Sequence, residues 1–325
     1  MLVPVLLFLV GFGLLIKGGD WFVDGSVGIA RRFHLPELLI GATIVSIGTT
    51  LPEVMVSSQA ALQGNAGISY GNAIGSIICN TSLIAAITVS VSPGKVNPKS
   101  FALPTVFFFG AAISYALVAW TAGRFQRWMG LVYLALFVVY MVISTIHMKK
   151  HPELAEDEEE GDGEEKPRSF TMELLLLVIG AAAIAVGARF LVDNGTKIAS
   201  ALGVPDSVIG LTMVALGTSL PELITAITSL VKGHGSLSLG NIIGANLFNI
   251  ILVSGMSISL SPFSIPAEKT LPGGVNSSLV IDLPLMLAVM SILCLPALFK
   301  GKLKRWQGIL LLAIYAAFTF YQFAS

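Results

Sequence analysis

The chain is 325 residues long, 54% hydrophobic and only 12% charged, with a mean hydropathy of +0.84. Soluble domains carry about 25% charged residues, so an ordinary cytosolic enzyme is excluded. Formal net charge is zero and no basic tail or patch stands out along the chain, which argues against a nucleic-acid partner.

A helix needs roughly 20 apolar residues to cross a bilayer core. Ten segments meet that requirement: about 2–19, 37–62, 69–91, 102–121, 127–148, 171–190, 206–231, 238–261, 279–299 and 306–323. The first lacks a basic start and a small-residue cleavage site, so it is read as a span and not a signal peptide. Connections are short, and irregular backbone in lipid is costly. The expected fold class is therefore an all-α integral membrane protein of ten transmembrane helices. Cys79 and Cys294 lie in apolar stretches and are expected to be small buried hydrophobes.

Placing the N-terminus outside puts Lys17, Arg31, Arg32, Lys95, Lys99, Lys149, Lys150, Lys166, Arg168, Lys232, Lys300, Lys302, Lys304 and Arg305 on the inner side. Only Arg124, Arg127, Arg189, Lys197 and Lys269 then lie outside. The positive-inside rule favours this orientation, with both termini outside. The acidic stretch HPELAEDEEEGDGEEKPR (151–168) is then cytoplasmic. Its high charge predicts a solvated linker, with a weak regulatory calcium site as the alternative.

The two halves repeat. A constant offset of 169 residues superimposes them without a gap from about Gly11 to Leu83. GATIVSIGTTLPE (41–53) pairs with GLTMVALGTSLPE (210–222), and GNAIGSIICN (71–80) with GNIIGANLFN (240–249). Over the 44 positions from Gly41 to Ile84, 16 are identical. Arg127-Trp128-x-Gly130 recurs as Arg305-Trp306-x-Gly308 after a changed loop length. The expected organisation is a first five-helix half (1–150, core repeat about 41–84), a linker (151–170) and a second half (171–325, core repeat about 210–253). Five spans is an odd number, so the second half enters from the opposite face. Inverted-topology repeats are a transporter signature, with the substrate near the midplane.

Two carboxylates, Glu53 and Glu222, fall deep inside the spans, at equivalent places. Asp20, Asp24, Glu37, Glu173, Asp193, Asp206, Glu268 and Asp282 fall near span ends or in loops. A charge at a helix centre costs roughly 2.5–3.5 kcal/mol on insertion scales. No Lys or Arg lies in the cores of the helices concerned, so a bound cation is the natural partner. The bland alternative is a pair of protonated glutamic acids hydrogen-bonded to each other.

Both glutamates follow Gly-Thr-(Thr/Ser)-Leu-Pro. Pro52 and Pro221 free the carbonyls near Gly48 and Gly217, and the helix is expected to loosen there, exposing carbonyls such as those of Ser46 and Ala215. Thr49 and Glu53, and likewise Thr218 and Glu222, share a helical face. Asn72, Ser76 and Asn80 line a face of the following helix, as do Asn241, Ala245 and Asn249. Interhelical hydrogen bonding is the alternative role for these polar residues. Gly71-x-x-x-Gly75 and Gly240-x-x-x-Gly244 are expected to give close helix contacts. Such hard oxygen ligands suit calcium or sodium.

The pattern GxTxxxxGTSLPE followed by GNxxGxNxxN resembles the paired alpha repeats of the calcium/cation antiporter superfamily, in particular its archaeal and bacterial sodium/calcium exchanger branch. The resemblance covers nearly the whole chain. It implies exchange of Ca2+ for Na+ by alternating access, with the bilayer as surroundings, no resident cofactor, no ATP and a monomeric unit. The ligands it implies are Ser46 and Ala215 through backbone, with Thr49, Thr50, Glu53, Ser76, Asn80, Thr218, Ser219, Glu222 and Asn249. Glu53 and Glu222 would bridge the calcium and sodium positions. Asn249 replaces an Asp of the archaeal pattern and Ala245 a Ser. A cation/proton exchanger is the first rival, because neighbouring carboxylates disfavour each other's ionisation. A passive cation channel is the second. No HExxH motif or Ser/Lys dyad points to an enzyme.

Overall fold

The computed structural model describes residues 2–151, 168–202, 215–267, 270–271 and 274–324. Most of the acidic linker, the start of the predicted 206–231 span, and Pro205, Asp206, Gly210, Glu268 and Lys269 lie outside the described residues. In chain order, the helices are α1 (Leu2–Arg32), α2 (Glu37–Leu62), α3 (Ala66–Val91), α4 (Pro98–Ala122), α5 (Arg127–Lys150) and α6 (Phe170–Ala201). They continue with α7 (Ala215–Thr218), α8 (Leu220–Val231), α9 (Gly235–Leu260), α10 (Ser278–Lys300) and α11 (Arg305–Ala324). Eight of these are long and apolar enough to cross a membrane. Short strands β1 (Gly94–Lys95) and β4 (Lys302–Leu303) pair, as do β2 (Thr270–Leu271) and β3 (Val275–Asn276). Large apolar side chains are exposed along α1, α5, α6 and α11, as lipid-facing helices require. Both cysteines are buried and free.

Glycines set the central crossing. α1 and α6 pack antiparallel, and two of their close contacts are glycine on glycine. A Cβ added at Gly11 would sit 2.8 Å from the Gly187 carbonyl, and one at Gly187 would sit 2.8 Å from the Gly11 carbonyl. Gly18 and Gly180 meet the same way, with the Gly180 carbonyl 3.0 Å from a Cβ at Gly18. Gly180 and Gly187 are the repeat-mates of Gly11 and Gly18 at the 169-residue offset. The two contacts therefore exchange under the repeat.

The outer helices exchange in the same sense. Gly130 on α5 lies against Ser259 and Gly255 on α9, and Gly308 on α11 lies against Ser90 and Ala86 on α3. Ser90 and Ala86 are the mates of Ser259 and Gly255. Each half thus lends its last helix to the other. π-Helical turns also recur: Asn80–Ala85 within α3 and Asn249–Ser254 within α9 start at mated residues. Such turns open the hydrogen-bond ladder and mark functional sites in many helices.

Two predicted spans are too short. α1 continues 13 residues past residue 19 and α6 continues to Ala201. Lys17-Gly18-Gly19-Asp20 imitates a span end, yet Gly18 and Gly19 serve packing: a Cβ at Gly19 would be 2.7 Å from Thr228 Oγ1. The charges that follow are paired. Lys232 meets Asp24 and Asp20, Arg168 meets Asp24 at 3.1 Å, and Arg32 meets Glu173 at 2.6 Å. Glu173, expected near a span end, is buried against Arg32. All these groups gather at one end of the bundle, the end the charge count assigns to the inside.

Candidate cation site

Glu53 on α2 and Glu222 on α8 are both 0% exposed. None of their four carboxylate oxygens has a hydrogen-bond partner among the described residues. No hydrogen bond links the two carboxyl groups to each other. Thr50 Oγ1, Ser219 Oγ, Asn80 Oδ1 and Nδ2, and Asn249 Oδ1 are likewise buried and unpartnered among the described residues. A buried polar group left unsatisfied costs about 1–3 kcal/mol, more if charged. These atoms belong to residues the sequence put forward as ligands. Hard oxygen donors around two carboxylates fit a hard cation. No group of three or more His, Cys, Asp and Glu converges among the described residues.

The remaining candidates are less uniform. Thr49 is buried and donates to Asn241 Oδ1 at 3.1 Å. Ser46 donates through its hydroxyl to the Gly41 carbonyl at 2.7 Å and the Asn241 carbonyl at 2.9 Å. Ser76 is buried one turn before Asn80. Thr218 is half-buried at the end of α7, and Ala215 opens that helix.

The helix around the first glutamate departs from expectation. α2 stays α-helical through Gly48 and Pro52, and its π-turn lies upstream, at Gly41–Val45. Gly48 is spent on packing, because a Cβ there would meet the Phe22 ring at 3.1 Å. Gly217 lies against Val192 in the same way. In the second half the chain does break: Ser219 leaves helical geometry between α7 and α8. Pro221 then sits in the first turn of α8, where no N–H is needed. Near-identical sequences thus give a continuous helix once and an interrupted one once.

Asn72 and Asn241 are crossbars. Asn72 Nδ2 donates to the Glu53 carbonyl at 3.2 Å and to Ser57 Oγ at 2.8 Å, while Asn241 accepts Ser46 and Thr49 across the halves. Gly240 and Gly244 give the expected close contact, against Leu38 and Ala42 of α2. The matching partners of Gly71 and Gly75 would be residues 207 and 211, outside the described residues. The sequence reading missed three supports. Tyr140 donates to the Ala42 carbonyl at 2.8 Å, and Ser254 donates to the Asn249 carbonyl at 2.9 Å. Cys79 accepts from Tyr315 at 3.6 Å and lies beside Ser219. Ser46→Gly41 and Ser254→Asn249 are both five residues apart, a spacing that only a π-turn brings together. The Asn249 amide donates to the Ala245 carbonyl at 3.0 Å, leaving Oδ1 without a partner among the described residues.

Fold and site define the class: a helical membrane protein of many spans, with an acidic, oxygen-lined centre. The family described as sodium/calcium exchanger protein matches residues 3–146 and 172–324. The chain belongs to that family. It is 38% identical over 312 residues to an uncharacterised membrane protein, MJ0091, of Methanocaldococcus jannaschii, covering 95% of this chain and 94% of that one. It is 32% identical over 349 residues to the sodium/calcium exchanger MaX1 of Methanosarcina acetivorans, covering 97% of each. The solved structure of the sodium-calcium exchanger NCX_Mj soaked with Na+ and Sr2+ superimposes with a TM-score of 0.81 at 34% identity, over 97% of each chain.

Proposed function

We propose that this protein is a secondary active antiporter that exchanges Ca2+ for Na+ across a cell membrane by alternating access. The observation that carries the proposal is the pair of buried, unpartnered carboxylates, Glu53 and Glu222. Two negative charges in a low-dielectric core are costly without a counter-charge. One calcium ion, or two to three sodium ions, supplies it. An empty site opposes the conformational switch, and either filled site permits it. Both ions use the same carboxylates, so they exclude each other, and that exclusion enforces exchange. MaX1 is named for the same exchange.

In this reading Glu53 and Glu222 bridge the calcium and sodium positions. Thr49, Thr50, Ser76 and Asn80 from the first half, and Thr218, Ser219 and Asn249 from the second, complete the ligands, with backbone oxygens of Ser46 and Ala215. The free Oδ1 of Asn249 supports ligation through an amide oxygen. The chain forms ten spans in two inverted halves, 1–150 and 171–325. The exchanging glycine contacts, the mated π-turns and the antiparallel α1–α6 crossing all support inversion. Both termini face outward, the 151–168 segment faces the cytoplasm, and the working unit is a monomer.

The test is calcium uptake into vesicles holding the purified protein. An outward sodium gradient is expected to drive it. Uptake driven only by a proton gradient would instead establish the cation/proton exchanger. Flux indifferent to any counter-ion would establish a channel.

A further inference from the structure

We propose that the β1–β4 ribbon and the helix starts beside it form a binding site for the headgroup of an anionic phospholipid. β1 and β4 pair antiparallel, with Lys95 directly opposite Lys302. Opposed side chains in such a pair lie about 4.5–5.5 Å apart at Cβ, and like charges there are destabilising. Lys99, Lys300, Lys304 and Arg305 surround them, and all six are exposed. None of the six pairs with a carboxylate among the described residues. The N-termini of α4 and α11 also open here, at Pro98 and Arg305, and their dipoles add positive potential.

The fold supplies its own control. The same joint is built at the opposite end, where Ile265 N–H donates to the Gly123 carbonyl at 2.9 Å, as Val96 N–H donates to the Gly301 carbonyl at 3.0 Å. Arg124 faces Ser264 there, in the places of Lys302 and Lys95. Lys304 corresponds to Gln126 and Lys300 to Ala122. The joint therefore needs no lysines to form. One ribbon gathers six cations, whereas its twin keeps only Arg124 and Arg127, in the places of Lys302 and Arg305, among the described residues.

A lipid fits better than a soluble anion because of what flanks the ribbon. It joins helices at their ends, so it sits at the membrane boundary. Phe299 is 82% and Trp306 55% exposed beside it, an arrangement suited to the interface. Clusters of four to eight basic residues just beyond a span, and basic pockets between spans, recognise anionic headgroups.

The experiment is native mass spectrometry of the full-length protein mixed with phosphatidylglycerol or phosphatidylcholine. The wild type is expected to retain phosphatidylglycerol in preference. K95Q/K302Q should lose retention roughly fivefold per lysine removed, and K99Q/K304Q should lose it as well. Arg124→Gln, at the twin ribbon, should change nothing. Equal retention by wild type and both double variants overturns the proposal. So does a wild type without preference that gains one when residues 153–165 are deleted, which would make the acidic segment the ribbon's partner.

Discussion

The Thr49 hydroxyl donates to Asn241 Oδ1 at 3.1 Å, and this bond joins the two halves at the site. Asn241 also accepts from Ser46 through its main-chain and side-chain carbonyls. Removing its side chain orphans the Thr49 hydroxyl, which the site needs in a fixed position, while Ser46 keeps the Gly41 and Asn241 main-chain carbonyls. A buried group so orphaned costs about 1–3 kcal/mol, which is on the order of tenfold in affinity. Asn241→Ala is expected to raise the calcium concentration for half-maximal exchange by about that factor. Its mate Asn72 is half-buried and touches no hydroxyl of the ligand set, so Asn72→Ala should have the smaller effect. An unchanged calcium dependence in Asn241→Ala would remove the crossbar from the account.

Glu53→Gln and Glu222→Gln each delete one charge at nearly constant volume. Both variants should fold, because neither carboxylate makes a hydrogen bond that the fold relies on. Both should lose sodium-driven calcium uptake. Normal exchange by either variant at normal expression contradicts the two-carboxylate site.

Sidedness of charge is the third expectation. Three sodium ions against one calcium move one net charge per cycle, and two move none. The free Oδ1 of Asn249 keeps a neutral oxygen in the place of an acid, so we expect the three-ion, electrogenic cycle. The check is the reversal point of calcium accumulation at a fixed sodium gradient. It should shift when a membrane potential is imposed. A fixed point means that Asn249 and Ala245 have removed a sodium position.

The glycine crossing is tested by volume. In Gly11→Ala the new methyl has nowhere to go, with the Gly187 carbonyl at 2.8 Å and Phe190 Cβ at 2.9 Å. Overpacking of this kind costs about 1–3 kcal/mol, so thermal unfolding of the purified protein should begin several degrees earlier. Gly13→Ala lies two residues away with nothing within 4 Å of its Cβ among the described residues. Helix propensity then dominates, and it should be neutral or stabilising by about 0.5–1 kcal/mol. Equal loss in both variants would mean that the crossing does not depend on glycine.

The sequence by itself determined the helical membrane class, the places of most long apolar helices, the repeat within the chain and the burial of Glu53 and Glu222. Each is local or pairwise: apolar runs report spans, a constant offset reports duplication, and an acid in an apolar run demands a partner. Lengths of α1 and α6 were decided by tertiary structure, because Asp20 and Asp24 are tolerable in a helix only once Lys232 and Arg168 arrive from distant segments. So was the difference between a continuous helix at Pro52 and a broken one at Pro221, since both stretches share the same motif. Asn72 and Asn241 looked like further ligands, and only their neighbours make them crossbars. The basic ribbon is the plainest case. Lys300, Lys302, Lys304 and Arg305 form one short basic run, yet only the fold sets Lys95, 207 positions before Lys302, face to face with it. Charge in a sequence is read along one dimension, and the potential that a partner feels is summed over three.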